Sequence, residues 1–75
     1  MRKQYAIYND FGGLHSVYTS EKEAERWAKE IPNSFVMTFH YLTPLQIKTI
    51  SYVQAIDFEN RMRFAIHNAK KYSTE

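Results

Sequence analysis

From Thr43 to Tyr72 the sequence runs thirty residues without a glycine or proline after Pro44. Thr43-Pro44-Leu45-Gln46 opens the stretch as a capping box with proline at the first helical position. A continuous helix of this length would reach roughly 40 Å, longer than a domain of 75 residues is wide. Its apolar stripe also changes sides. At about 100° per residue, Leu45, Thr49, Tyr52, Val53 and Ile56 share one side, while Ala55, Phe58, Met62, Ala65, Ile66, Ala69 and Tyr72 lie well over a quarter-turn away. One small globule buries one such stripe. The second requires either a bend or break near residues 57–60 that folds the helix back, or another molecule, most simply a second copy in a homodimer. Phe64 belongs to neither stripe and is an exposed aromatic in both arrangements.

The residues ahead of this helix read as a ββαβ core over residues 1–42, followed by the long C-terminal helix over residues 43–73, in a single domain. Lys3–Tyr8 is rich in aromatic and β-branched types and reads as a strand. Asn9-Asp10-Phe11-Gly12-Gly13 supplies residues that tolerate positive φ, and Leu14–Tyr18 returns as the second arm of a hairpin. Ser20-Glu21-Lys22-Glu23 is a capping box, and Ala24, Trp27, Ala28 and Ile31 recur at helical spacing until Pro32-Asn33. Ser34 to Tyr41 alternates, with Phe35, Met37, Phe39 and Tyr41 on one face. A right-handed crossover sets the third strand beside the first. The fold class expected is α+β: a ββαβα chain with a three-stranded antiparallel sheet in order 2-1-3, a helix on one face and the long C-terminal helix. The Phe35, Met37 and Phe39 face is the natural seat of the first helical stripe. Gln4, Ala6, Tyr8, His15, Val17, Val36, Thr38 and His40 are then expected on the outer face.

A chain this small sits near the lower size limit for folding unaided. It has no cysteine, so no disulfide or thiolate-bound metal braces it, and the small core must be supplemented by aromatic packing or by oligomerisation; twelve aromatic residues (one Trp, six Tyr, five Phe) fit both. The apolar runs are too short to span a membrane, and the first residues lack an apolar signal core; a soluble, cytoplasmic protein is expected. The net charge of +2 is too small to argue nucleic-acid binding, and it excludes an acidic mimic of DNA. The basic character is local. Residues 1–31 carry five bases and five acids, whereas Arg61, Arg63, Lys70 and Lys71 follow Asn60 with no acid among them.

No constellation of catalytic type is legible. His15, His40 and His67 lack ligand spacing, so no metal is expected, and no cofactor loop is present. Asp10 with Gly12-Gly13 reads as a hairpin turn, because no helix opens behind it. With few serines and no cysteine, an enzyme is not expected.

Tyr5-Ala6-Ile7-Tyr8, Gly13, Val17-Tyr18-Thr19-Ser20, Ala24 and Pro32-Asn33-Ser34-Phe35 resemble the N-terminal hybrid-binding domain of ribonuclease H over residues 5–45. The resemblance implies a shared ββαβ plan. It carries no binding role, since Glu21 stands where that family has Trp and Val36 where it has a basic residue.

The function expected is a small non-enzymatic protein-binding or inhibitory protein acting sterically. Compact, aromatic-rich, cysteine-free domains resemble the accessory proteins of bacteriophages and mobile elements, which bind and block host machinery. The candidate protein interface is Phe58, Met62, Phe64, Ile66 and Tyr72. Arg61, Arg63, His67, Lys70 and Lys71 are candidate contacts for phosphate or an acidic partner. The alternative is a nucleic-acid-binding module that uses these bases on phosphates, with Tyr8 and His40 stacking on bases.

Overall fold

The computed structural model describes residues 2–73, with side-chain surroundings for residues 2–70. Strands β1 (Gln4–Asn9) and β2 (Leu14–Tyr18) form the hairpin, helix α1 (Glu21–Glu30) crosses over, and β3 (Ser34–Phe39) returns beside β1. Helices α2 (Pro44–Thr49) and α3 (Tyr52–Ser73) complete the chain. The sheet is antiparallel in the expected order β2-β1-β3.

The Asn9 side chain ties the hairpin turn. Its Oδ1 accepts from the Phe11 and Gly13 amides at 3.0 and 2.8 Å. Gly12 has φ 81°, the left-handed region that favours glycine, and a Cβ there would lie 3.4 Å from Tyr52 Cβ. The turn therefore packs against the start of α3. Between β1 and β2 the register shifts after the Ile7–Ser16 pair, so that Tyr8 meets Leu14. His15 is the extra residue of this bulge and is exposed.

The register decides which residues share a face. Ala6 lies opposite Val17 and Met37, and Tyr8 opposite Leu14 and Phe35, so these residues all point the same way. This face carries the core: Ala6, Tyr8 and Phe39 pack with Leu42, Ile47 and Ala55, supported by Leu14, Val17, Phe35, Met37, Ile50, Tyr52 and Ile56. Tyr8 sits at its centre, with ring centroids 4.8 Å from Tyr52, 6.1 Å from Phe35 and 6.4 Å from Phe39. On the other face α1 packs across all three strands. Ile7 and Ala24 are fully buried there. Ser34 Oγ donates to the Ala28 and Ile31 carbonyls at the end of α1. The helices thus sandwich the sheet. The sequence reading that left Ala6, Tyr8 and Val17 on an open outer face misphased the strands, and Tyr8 is only 1 % exposed.

The helical stretch is also divided differently from expectation. The Thr43–Gln46 capping box forms as expected. The helix then stops at Ile50, whose backbone is extended at ψ 161°. Ser51 starts α3 with a further box: Gln54 Oε1 accepts from the Ser51 amide at 2.9 Å, and Ser51 Oγ accepts from the Gln54 amide at 3.1 Å. From Tyr52 onward α3 is continuous through residues 57–60, where a break had been considered. The interruption at residues 50–51 resets the helical phase. Ile47 is fully buried while Leu45, two positions and about 200° away, is exposed. At 22 residues α3 is about 33 Å long. It stretches the molecule to 49 × 23 × 19 Å, with a radius of gyration of 13.9 Å against about 11 Å for a compact chain of this length.

The Tyr8 hydroxyl is buried without a hydrogen-bond partner among the described residues. Burial, and secondarily the neighbouring Tyr52 phenol, raises its pKa above the ordinary 10.0. Tyr8→Phe is therefore expected to leave stability unchanged or raise it by up to about 1 kcal/mol at neutral pH, because it removes an unmatched polar group. A raised folded-state pKa means the unfolded chain ionises first. The contribution of Tyr8 is intact below pH 10 and is lost as pH rises from there through the folded-state value. Urea denaturation at pH 7 and at about pH 10.5 should show the variant's advantage widening at the higher pH.

Candidate protein interface

A buried carboxylate ties helix α3 to the end of β3. Glu59, 4 % exposed, accepts from the backbone amides of His40 and Tyr41 at 2.6 and 3.1 Å, just beyond the end of β3. Arg63 approaches the same carboxylate from one turn further along α3, at 3.6 Å. A buried carboxylate needs this many partners to offset its desolvation. Apolar packing ends near the same level: Ala55 is fully buried and Ile56 partly, whereas beyond Glu59 no residue of α3 through residue 70 is buried.

Two apolar surfaces follow from this anchoring. The first looks outward from the globule. Tyr52, Val53, Ile56, Asp57 and Asn60 line a shallow groove of about 310 Å³, and Phe64 lies one turn beyond Asn60 on the same side. Val53 is 74 % and Phe64 67 % exposed. Phe11, 98 % exposed, projects from the hairpin turn that packs on Tyr52, near the N-terminal end of the same helix. The second surface lies about 140° around α3 from Phe64. Phe58 and Ala65 are exposed there, and Met62 and Ile66 partly so. Of the expected interface residues, Phe58, Met62 and Ile66 lie on this second surface and Phe64 on the first; the side chain of Tyr72 lies outside those described. Val53, which the sequence places in the stripe expected to seat on the sheet, instead faces solvent because the break at residues 50–51 resets the helical phase, and Phe11 and Asn60 carry no interface expectation in the sequence. An aromatic at the tip of a tight turn, and Val53, Asn60 and Phe64 at helical spacing, were the available signals.

The basic candidates stand on two sides of α3: Arg63, His67 and Lys70 recur at i, i+4 and i+7 on one side, and Arg61 lies about 160° around the helix from Arg63. Arg61 pairs with Asp57 at 3.0 Å on the exposed helix surface, and Arg63 is drawn toward Glu59. His67 and Lys70 are exposed, and the Lys71 side chain lies outside those described. Of the proposed base-stacking groups, Tyr8 is in the core and His40 is partly buried, its ring 6.1 Å from that of Tyr41. Among the described residues no three His, Asp or Glu side chains are placed to hold a metal ion, and no helix is long and apolar enough to cross a membrane. The chain matches no family model, no curated protein and no solved structure.

Glu59→Ala strands two backbone donors and frees α3 from the sheet. The expected loss is about 2–4 kcal/mol. Arg63→Ala, which removes only the longer and partly solvated contact, is expected to cost under about 1 kcal/mol. Urea midpoints for both variants, with amide exchange at His40 and Tyr41, check this ordering.

Proposed function

We propose that the chain is a non-enzymatic interaction module that binds a partner protein through the outward face of α3. The observation that carries this reading is the placement of Val53 and Phe64 on one rigid helical face, flanking the Tyr52–Asn60 groove, with Phe11 held nearby in a turn tied by Asn9. Aromatic and aliphatic side chains left in water on preorganised backbone are the usual anchors of a protein interface. They lose little conformational entropy on binding because the helix and the turn already hold them. The action would be steric, by occupancy of the partner's surface. The inhibition of host machinery, as in the accessory proteins of bacteriophages, belongs to this reading. Arg61 and Asp57 at the groove's margin suit a polar rim.

Tagged protein exposed to nuclease-treated bacterial lysate should retain a stoichiometric partner. Phe64→Asp and Val53→Asp should lower its recovery at least tenfold while circular dichroism and melting temperature stay within about 3 °C of the parent. Capture that depends on intact nucleic acid and collapses between 50 and about 200 mM salt would replace this reading with the phosphate-binding one.

A further inference from the structure

The second surface of α3 has a pattern that selects its own partner. Ala55, Phe58, Met62, Ala65 and Ala69 follow one another at intervals of three, four, three and four residues, the heptad spacing of a two-helix seam. Ala55 is taken up by the chain's own core, and the seam from Phe58 onward lies outside it. Along this seam the side chains are graded in size, with Phe58 and Met62 toward the globule and Ala65 and Ala69 toward the far end.

We infer that this seam pairs α3 with α3 of a second copy in antiparallel orientation. The register that sets Met62 against Ala65 also sets Phe58 against Ala69. By the twofold symmetry each of these contacts occurs twice. Every layer then joins one large and one small side chain, so the helices keep one separation along the whole contact. Parallel pairing would put Phe58 on Phe58 and Ala65 on Ala65, demanding a wide separation at one end and a narrow one at the other.

Charge selects the same orientation. Residues 52–60 of α3 carry Asp57 and Glu59 and no base, and residues 61–71 carry Arg61, Arg63, Lys70 and Lys71 and no acid. Glu59 is buried, so Asp57 is the exposed acid of the first half; antiparallel copies bring the basic half of each helix alongside the Asp57 end of the other, whereas parallel copies align the two basic halves. Ile66 and Glu59 flank the seam on one side, Arg61 and Asn68 on the other. In the antiparallel register Arg61 of each helix meets Asn68 of the other, and Glu59 stays buried against its own strand end, so no like charges oppose. The globules sit at opposite ends of the pair, clear of each other and of the outward face that carries Phe64.

The seam from Phe58 to Ala69 is about 18 Å long. It is too short for the roughly 800 Å² per partner of a standard interface, so the dimer is weak and reversible, with half-association on the order of 100 µM.

Sedimentation equilibrium of the full chain from about 5 µM to 1 mM tests this. A monomer–dimer equilibrium is expected, weakened at least tenfold by Ala65→Glu, a change at an exposed position that leaves the monomer's melting temperature near the parent value. The chain has no cysteine, so introduced thiols report orientation. In a glutathione redox buffer, Met62→Cys mixed with Ala65→Cys should form the mixed disulfide, while Ala69→Cys alone should not cross-link to itself. A monomer at every concentration, a dimer indifferent to Ala65→Glu, or an efficient Ala69→Cys self-disulfide would each overturn the inference. None of these results bears on the outward face, whose partner is tested by Phe64→Asp.

Discussion

The Glu59 carboxylate, accepting from two consecutive backbone amides at the end of β3, is the contact on which the placement of α3 depends. The α3 residues that join the apolar core beside it are Tyr52, Ala55 and Ile56, all within the helix's first turns. Those apolar contacts are non-directional and set a depth of burial. The carboxylate is directional and sets an angle and an axial position. Its cost, a charge removed from water, is offset by two charge-assisted hydrogen bonds and the nearby Arg63 guanidinium.

The consequence is a helix divided into two regimes. Its first turns share the aromatic core of Tyr8, Phe35, Phe39 and Tyr52, with Tyr8 edge-on to both Phe39 and Tyr52. The remainder extends beyond the sheet, which is why a chain of 75 residues is 49 Å long. An extended helix in water has no packing of its own to stabilise it. The Asp57–Arg61 pair contributes a few tenths of a kcal/mol at an exposed i,i+4 site. Burial of its apolar side chains by other molecules would add far more, and two separate faces are offered for it.

Much of the fold was legible because it is encoded locally. The Asn9–Gly13 turn, the Thr43 capping box and the alternation through β3 each require only a few neighbouring residues, and all three are in the structure; at Ser20 the N-cap half of the box is present, with Ser20 Oγ accepting from the Glu23 amide at 3.4 Å. The Ser51-Tyr52-Val53-Gln54 box is spelled in the same letters as the Thr43 box and was equally readable. It was overlooked because a stretch free of glycine and proline suggested continuity. That one omission misassigned the core-facing residue of α2, giving Leu45 in place of Ile47. The strand faces were misphased for a different reason: alternation shows which residues of a strand share a face, but only the register shows which face of the next strand joins them.

The sequence by itself determined the elements through β3, the sheet order 2-1-3, the absence of any disulfide, and a terminal helical stretch with more apolar surface than one globule can cover. These follow from short-range propensities and from periodicity, which act within one segment of chain. Only the tertiary structure decided that both sheet faces are covered, that Glu59 is buried as the anchor of α3, and that Val53 and Phe64 line the same outward face as the groove. Each of these depends on how segments distant in sequence meet: nineteen residues separate Glu59 from the amide it holds at His40. A solvent-facing Glu on a helix and a buried one are written with the same letter, and the difference lies in the strand end that happens to reach it.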